Sequence, residues 1–178
     1  MRPINIIIVY LFANLTVFAQ NTVPNYPVPE YVNVPFYFNS NTNELNTLER
    51  QTPSHSSRPT SPVSMESLFS VPEMKSPVRF STNSKPEFIV KISDADTDPS
   101  TIATMYNFKV NTKKRRERRE YILSSAAAYA GSTVYTQSLP VTFKKISAGV
   151  YLMKFQFDPG EYFFDIKGSS FVYAFGID

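Results

Sequence analysis

From Val78 to the end of the chain, apolar and polar residues alternate in short runs. Phe88, Val90 and Ile92 face one way, against Glu87 and Lys91 on the other. Tyr106, Phe108 and Val110 repeat the pattern against Asn107 and Lys109, and Tyr151, Met153, Phe155 and Phe157 oppose Lys154 and Gln156. Tyr162, Phe164 and Ile166 oppose Glu161, Asp165 and Lys167, and Phe171, Tyr173 and Phe175 form the last set. Period-two alternation predicts strands half-buried in an antiparallel sheet, because successive side chains of a strand point to opposite faces. Asp158-Pro159-Gly160 and Lys167-Gly168-Ser169-Ser170 supply the turns, proline by pre-setting φ and glycine by accepting positive φ. These features predict a C-terminal three-stranded meander within an all-β domain over residues 78–178. The expected architecture is an antiparallel β-sandwich, immunoglobulin-like or similar.

The first half of the chain has a different texture. Twelve of the 14 prolines precede residue 100. Residues 20–33 carry three of them with no apolar periodicity, which predicts an extended arm. Val34 to Phe38, the turn formers Asn39 to Asn43, and Glu44 to Arg50 predict a β-hairpin over 34–50, either joined to the main sheet or packed alone. Residues 51–77 are rich in Pro, Ser and Thr, and such a stretch buries too little to offset its ordering entropy, so a disordered linker is expected. Glu117 to Ala130 contains Ala126-Ala127-Ala128 and could form a helix, but Tyr121-Ile122-Leu123 after a charged turn favours a strand over 118–124.

The longest apolar run is at the start. Arg2 precedes a nearly unbroken apolar stretch from Ile4 to Phe18, and Val17 and Ala19 place small residues at −3 and −1 before Gln20. This is the pattern of a signal peptide over 1–19, and the stretch is short of the ~20 apolar residues of a spanning helix. The protein is therefore expected to be exported, to the periplasm, the outer-membrane surface or the medium. The chain has no cysteine, so no disulfide holds the exported fold together, which suits a bacterial envelope protein. An eight-stranded outer-membrane barrel is the minority alternative, since most runs are shorter than the ~9–11 residues a spanning strand needs.

Charge adds one candidate surface. The chain holds 18 basic and 15 acidic residues, and six of the basic ones fall within Lys113-Lys114-Arg115-Arg116-Glu117-Arg118-Arg119. In a cytoplasmic protein this run would point to nucleic acid or nuclear import, and export removes that reading. Export leaves contact with anionic lipid, lipopolysaccharide or acidic polysaccharide, or simply a solvated hairpin tip. Asp94, Asp96 and Asp98 have the 1-3-5 spacing of a calcium loop, but Pro99 and Met105 stand where an EF-hand needs Gly and Glu. A looser calcium site or a plain acidic turn remains. Hydrolytic motifs are lacking: His55 is the only histidine and falls in the Pro/Ser-rich segment, so no cofactor and no catalytic residue is expected. Phe163 and Tyr37 fall on apparent polar faces and are candidates for stacking on sugar rings.

The stretches VPFYF, LNTLER, DPSTI, MYNFKV, GVYLMKF, DPGEYFF and the closing FGID resemble uncharacterised secreted all-β proteins of Gram-negative, Bacteroidota-type bacteria. The resemblance covers much of 34–50 and 78–178. It implies a small exported β domain and brings no functional residues with it. The expected function is non-catalytic: an envelope or secreted protein acting by protein–protein contact or structural support. A carbohydrate- or glycolipid-binding module is the first alternative, and a small hydrolase the second.

Overall fold

The computed structural model describes residues 25–112, 117–127, 132–156 and 158–178. The predicted signal segment 1–19, the first residues of the arm, Lys113 to Arg116 and Phe157 lie outside them. Fourteen strands follow in order: β1 (Pro35–Asn39), β2 (Glu44–Thr47), β3 (Glu49–Gln51), β4 (Ser54–Ser61), β5 (Ser64–Pro72), β6 (Arg79–Phe80) and β7 (Glu87–Lys91). They continue with β8 (Ala103–Asn111), β9 (Arg118–Ala127), β10 (Ser132–Tyr135), β11 (Thr142–Ser147), β12 (Val150–Lys154), β13 (Gly160–Ile166) and β14 (Val172–Ile177). The predicted strand at 118–124 is thus the core of β9.

Two sheets pack face to face as a β-sandwich. One has five strands in the order β11-β12-β7-β1-β2, and the other nine, running β3-β14-β13-β8-β9-β5-β4 with β10 on β9 and β6 on β14. Among the described residues the strand pairings are antiparallel except the short β6–β14 contact, and one isolated bridge, Glu73 with Arg118, is also parallel. Phe88, Val90 and Met153 from the first sheet meet Met105, Phe164 and Phe175 from the second, all nearly inaccessible to solvent. Phe88, Val90, Met153, Phe164 and Phe175 belong to the face anticipated from the pattern, but on β8 the anticipated Tyr106 and Phe108 lie on the opposite face and Met105 meets this core instead.

One open alternative closes and two expectations change. The hairpin β1–β2 joins the five-stranded sheet through β1 and β7, with Phe36 opposite Ile89. Its chain then switches sheets at the buried Leu48, so that β3 pairs with β14. The C-terminal strands are not one meander, because β12 pairs with β7 while β13 and β14 belong to the other sheet. Residues 51–77 are not a disordered linker: they form the β4–β5 hairpin, and β5 lies along β9 for nine residue pairs. Composition misleads here because β4 is an exposed edge strand that buries almost nothing. The hairpin is anchored only by its second strand, where Leu68, Phe69 and Val71 are buried.

The nine-stranded sheet curls into a half-barrel. Two strands stand between β13 and β5, which in a flat sheet would set them roughly 14 Å apart. The rings of Phe163 and Phe69 are nevertheless 5.1 Å apart. Phe163, Phe69, Phe108, Tyr121 and Ala174 fill the interior of this curl, a second core on the far face of the sheet. A third small cluster, Ile89, Val150 and Leu152, lies on the outer face of the five-stranded sheet. There the arm covers it: Tyr26 packs edge-on against Phe38 at 5.1 Å and donates its hydroxyl to Glu87 at 3.0 Å.

Candidate functional site

The acidic and basic candidates resolve into local structure. Asp94 accepts hydrogen bonds from the Asp96 amide and the Thr97 hydroxyl, and Asp98 from the amide and hydroxyl of Ser100. These bonds hold both carboxyls below their ordinary pKa, the backbone amide in each case contributing most. Both side chains cap turns, and Asp98 begins the short 3-10 helix Pro99–Thr101. No group of three metal-ligating residues occurs among the described residues, so Asp94, Asp96 and Asp98 do not converge as a calcium site.

The basic run divides at the start of β9. Arg119 is not a surface contact: it is wholly buried in the half-barrel, bidentate to Glu49 at 2.7 Å for both bonds. Its second neighbour is Glu161 at 3.7 Å. Glu161 in turn accepts from Arg79 at 2.6 Å and from the Ser76 amide at 2.8 Å, and Arg79 continues to Asp178. The register explains this burial, since Arg119 stands opposite both Val110 and Val71, on the inward face. Glu49 would be pushed up by its burial, but hydrogen bonds from Arg119, Ser76 and Gln51 outweigh that and hold it below the ordinary value. Arg118 points the other way, 2.8 Å from Glu120, which Arg58 also engages at 2.9 Å. Neither arginine is free to meet an external anion, as both are committed to carboxylates.

The aromatic candidates are also reassigned. Phe163 has no solvent exposure, and Tyr37 packs edge-on against Phe80 at 5.0 Å. Alternation on β13 makes Phe163 appear outward, but the outward face is itself buried by the curl. The exposed His55 lies over the rim of the same interior, its ring 6.0 Å from Phe69.

The two ends of the half-barrel interior differ. One is closed by the Glu49–Arg119–Glu161–Arg79 chain. At the other, Asp165 shares its face with Phe163, Tyr106 stacks on Phe163 at 5.3 Å, and the Tyr121 ring lies 4.8 Å from Tyr106. The Asp165 carboxylate is half-buried and has no hydrogen bond or ion pair among the described residues; desolvation raises its pKa. Burial, with Tyr106 and Asp165 nearby, likewise pushes the Tyr121 phenol up. An unpaired carboxylate is costly to hold in an aromatic setting.

The penalty on Asp165 has a definite sign. A carboxyl with a raised folded-state pKa destabilises the fold only when ionised. The penalty is therefore absent below the unfolded value of about 3.9 and grows as pH rises through the folded value. Asp165→Asn is expected to raise stability by about 1 kcal/mol at neutral pH. Urea denaturation across pH should show this gain vanishing in acid; an equal gain at every pH would deny the desolvation argument.

Beyond this mouth, β4, β5, β9 and β10 run on as a four-stranded blade. Cross-strand pairing places Ser67, Ser124 and Tyr135 on the interior-facing side, followed by Pro59, Met65, Ala126 and Thr133. Met65 is 55 % and Tyr135 72 % exposed. A continuous surface thus leads from the buried aromatics through Asp165 to exposed Met65 and Tyr135. Sequence reading missed it, since neither β4 nor β10 has a legible apolar face. The only hint was Phe163, an aromatic between Glu161 and Asp165.

No family model matches this chain, and neither the curated proteins nor the solved structures contain a match to it.

Proposed function

We propose that this is an exported, non-catalytic protein that works by contact with another protein of the envelope. The leader of residues 1–19 directs export, and the mouth and blade of the half-barrel form the contact surface. The single observation that carries the reading is the unpaired Asp165 at the start of an exposed ramp of small and apolar residues ending in Met65 and Tyr135. A partner that lays an apolar segment on the ramp and a basic group against Asp165 would relieve both costs at once.

The test is photocrosslinking in intact cells. A crosslinking residue placed at Tyr135 should give one discrete adduct, on a mature chain that begins at Gln20. Asp165→Asn should abolish the adduct while leaving the protein folded, and a crosslinker at Lys144 on β11 should not form it. A chain that retains Met1, or an adduct equally strong from both positions, would overturn the reading.

A further inference from the structure

A separate cavity opens where the chain changes sheets. Leu48 anchors the step from β2 to β3, and the two sheets part on either side of it. The resulting space is about 350 Å3, lined by Tyr31, Phe36, Thr47, Leu48, Arg50 and Tyr173. Small-molecule sites typically occupy ~300–1,000 Å3 with apolar walls and a few polar groups. This one is at the small end, a size for one or two rings and not for a polymer chain.

Its polar group is unusual for this protein. Arg58, Arg79, Arg118 and Arg119 are all held by carboxylates. Arg50 alone among the described arginines makes no ion pair. It stands directly opposite Tyr173 in the β3–β14 pairing, and its guanidinium carbon lies 3.5 Å from the ring centre of Phe171. Stacking on Phe171 fixes the plane of the guanidinium while leaving its N–H edge available for a bidentate acceptor. Tyr31, 58 % exposed, supplies an aromatic face at the cavity wall. Tyr173 is 5 % exposed, and its hydroxyl donates to no protein acceptor among the described residues.

We propose that this cavity binds a carboxylate-bearing sugar ring of the uronic acid type. Arg50 clamps the carboxylate, Tyr31 stacks on the apolar C–H face of the ring, and the Tyr173 hydroxyl meets a ring hydroxyl. The proposal is independent of the contact surface described above, which uses the opposite face of the nine-stranded sheet.

Because the chain lacks tryptophan, tyrosine fluorescence, backed by ligand-observed NMR, can report binding to the exported chain. D-Galacturonate should bind, while D-galactose and acetate should each bind roughly tenfold more weakly or worse, since each lacks one of the two interactions. Arg50→Gln should reduce galacturonate to the level of galactose without shifting thermal unfolding. Tyr31→Ala, at an exposed position, should weaken both sugars. Adding digalacturonate distinguishes a free sugar from the end of an acidic polysaccharide: tighter binding of the dimer assigns the polysaccharide, and equal binding the monomer. The proposal is overturned if neither form binds, if galacturonate and galactose bind alike, or if Arg50→Gln leaves binding intact. Acetate binding as tightly as galacturonate would reduce the site to an anion site and overturn the sugar assignment.

Discussion

Arg119→Ala is expected to destabilise the protein by about 3–5 kcal/mol, the range for breaking a buried ion pair from one side. The reason lies in what remains. Glu49 and Glu161 are 6 % and 5 % exposed at their side chains, and Arg119 is the cation between them. Removing it leaves two carboxylates buried at the closed end of the half-barrel, with Arg79 the one cation still on Glu161 and none on Glu49 among the described residues. Arg119→Lys should recover part of the loss, since a lysine keeps the charge but cannot reproduce the bidentate geometry on Glu49. Guanidinium unfolding of the two variants decides the matter. A loss below ~1 kcal/mol for Arg119→Ala, the worth of a surface pair, would mean that the arginine is solvated after all. The pH dependence has a fixed sign. Glu49 has a lowered folded-state value, so its contribution is fully present above the unfolded carboxylate range and is lost as pH falls through the folded value. In Arg119→Ala this acid limb should flatten or reverse.

Phe163→Ala should cost a similar amount, about 3–5 kcal/mol, by opening a cavity at the centre of the curl. The Phe163 ring centre lies 4.4 Å from Phe108, 5.1 Å from Phe69 and 5.3 Å from both Tyr106 and Tyr121. These four neighbours come from three different strands and can collapse into the space only by uncurling the sheet. Phe163→Leu should cost less than half as much, because most of the volume is retained. Equilibrium denaturation measures both. The difference from an exposed aromatic is the informative one: Tyr135→Ala should change stability by less than ~0.5 kcal/mol. Equal small losses at positions 163 and 135 would place Phe163 at the surface and remove the second core.

The parts of the fold that were legible share one property. In β7, β8, β13 and β14 an apolar set recurs at every second position, so strand identity follows from side-chain period, although Ile89, Phe163 and Ala174 put apolar residues on the other face as well. The β1–β2 hairpin was legible because Asn39 to Asn43 announce its turn. The β4–β5 hairpin was hidden because its order is borrowed from β9: Ser54–Ser61 carries no apolar face, and a strand of that kind exists only where a neighbour supplies the hydrogen-bond ladder. The charged and aromatic candidates failed for a related reason. Six basic residues in seven positions look like a solvated tip, yet Arg119 is drawn inward by partners 70 and 42 positions away in the chain, Glu49 and Glu161. The spacing of Asp94, Asp96 and Asp98 was real, but the oxygens of Asp94 and Asp98 turned to the adjacent amides and hydroxyls, which need no folding to reach.

The chain by itself determined that the protein is all-β, where most strands lie and, for β7, β12, β13 and β14, which face meets the common core; on β8 the anticipated face of Tyr106 and Phe108 meets the second interior instead. Period-two burial is a local property, written into consecutive residues. Only the tertiary structure decided that the larger sheet curls and gains a second interior. That interior reclassifies Phe163 from an exposed aromatic to a core one and Arg119 from a surface charge to a buried tie. It also leaves Asp165 unpaired at its open end and Arg50 unpaired beside the cavity at the sheet switch. Curvature arises from contacts between strands far apart in sequence, and no window of the chain contains them.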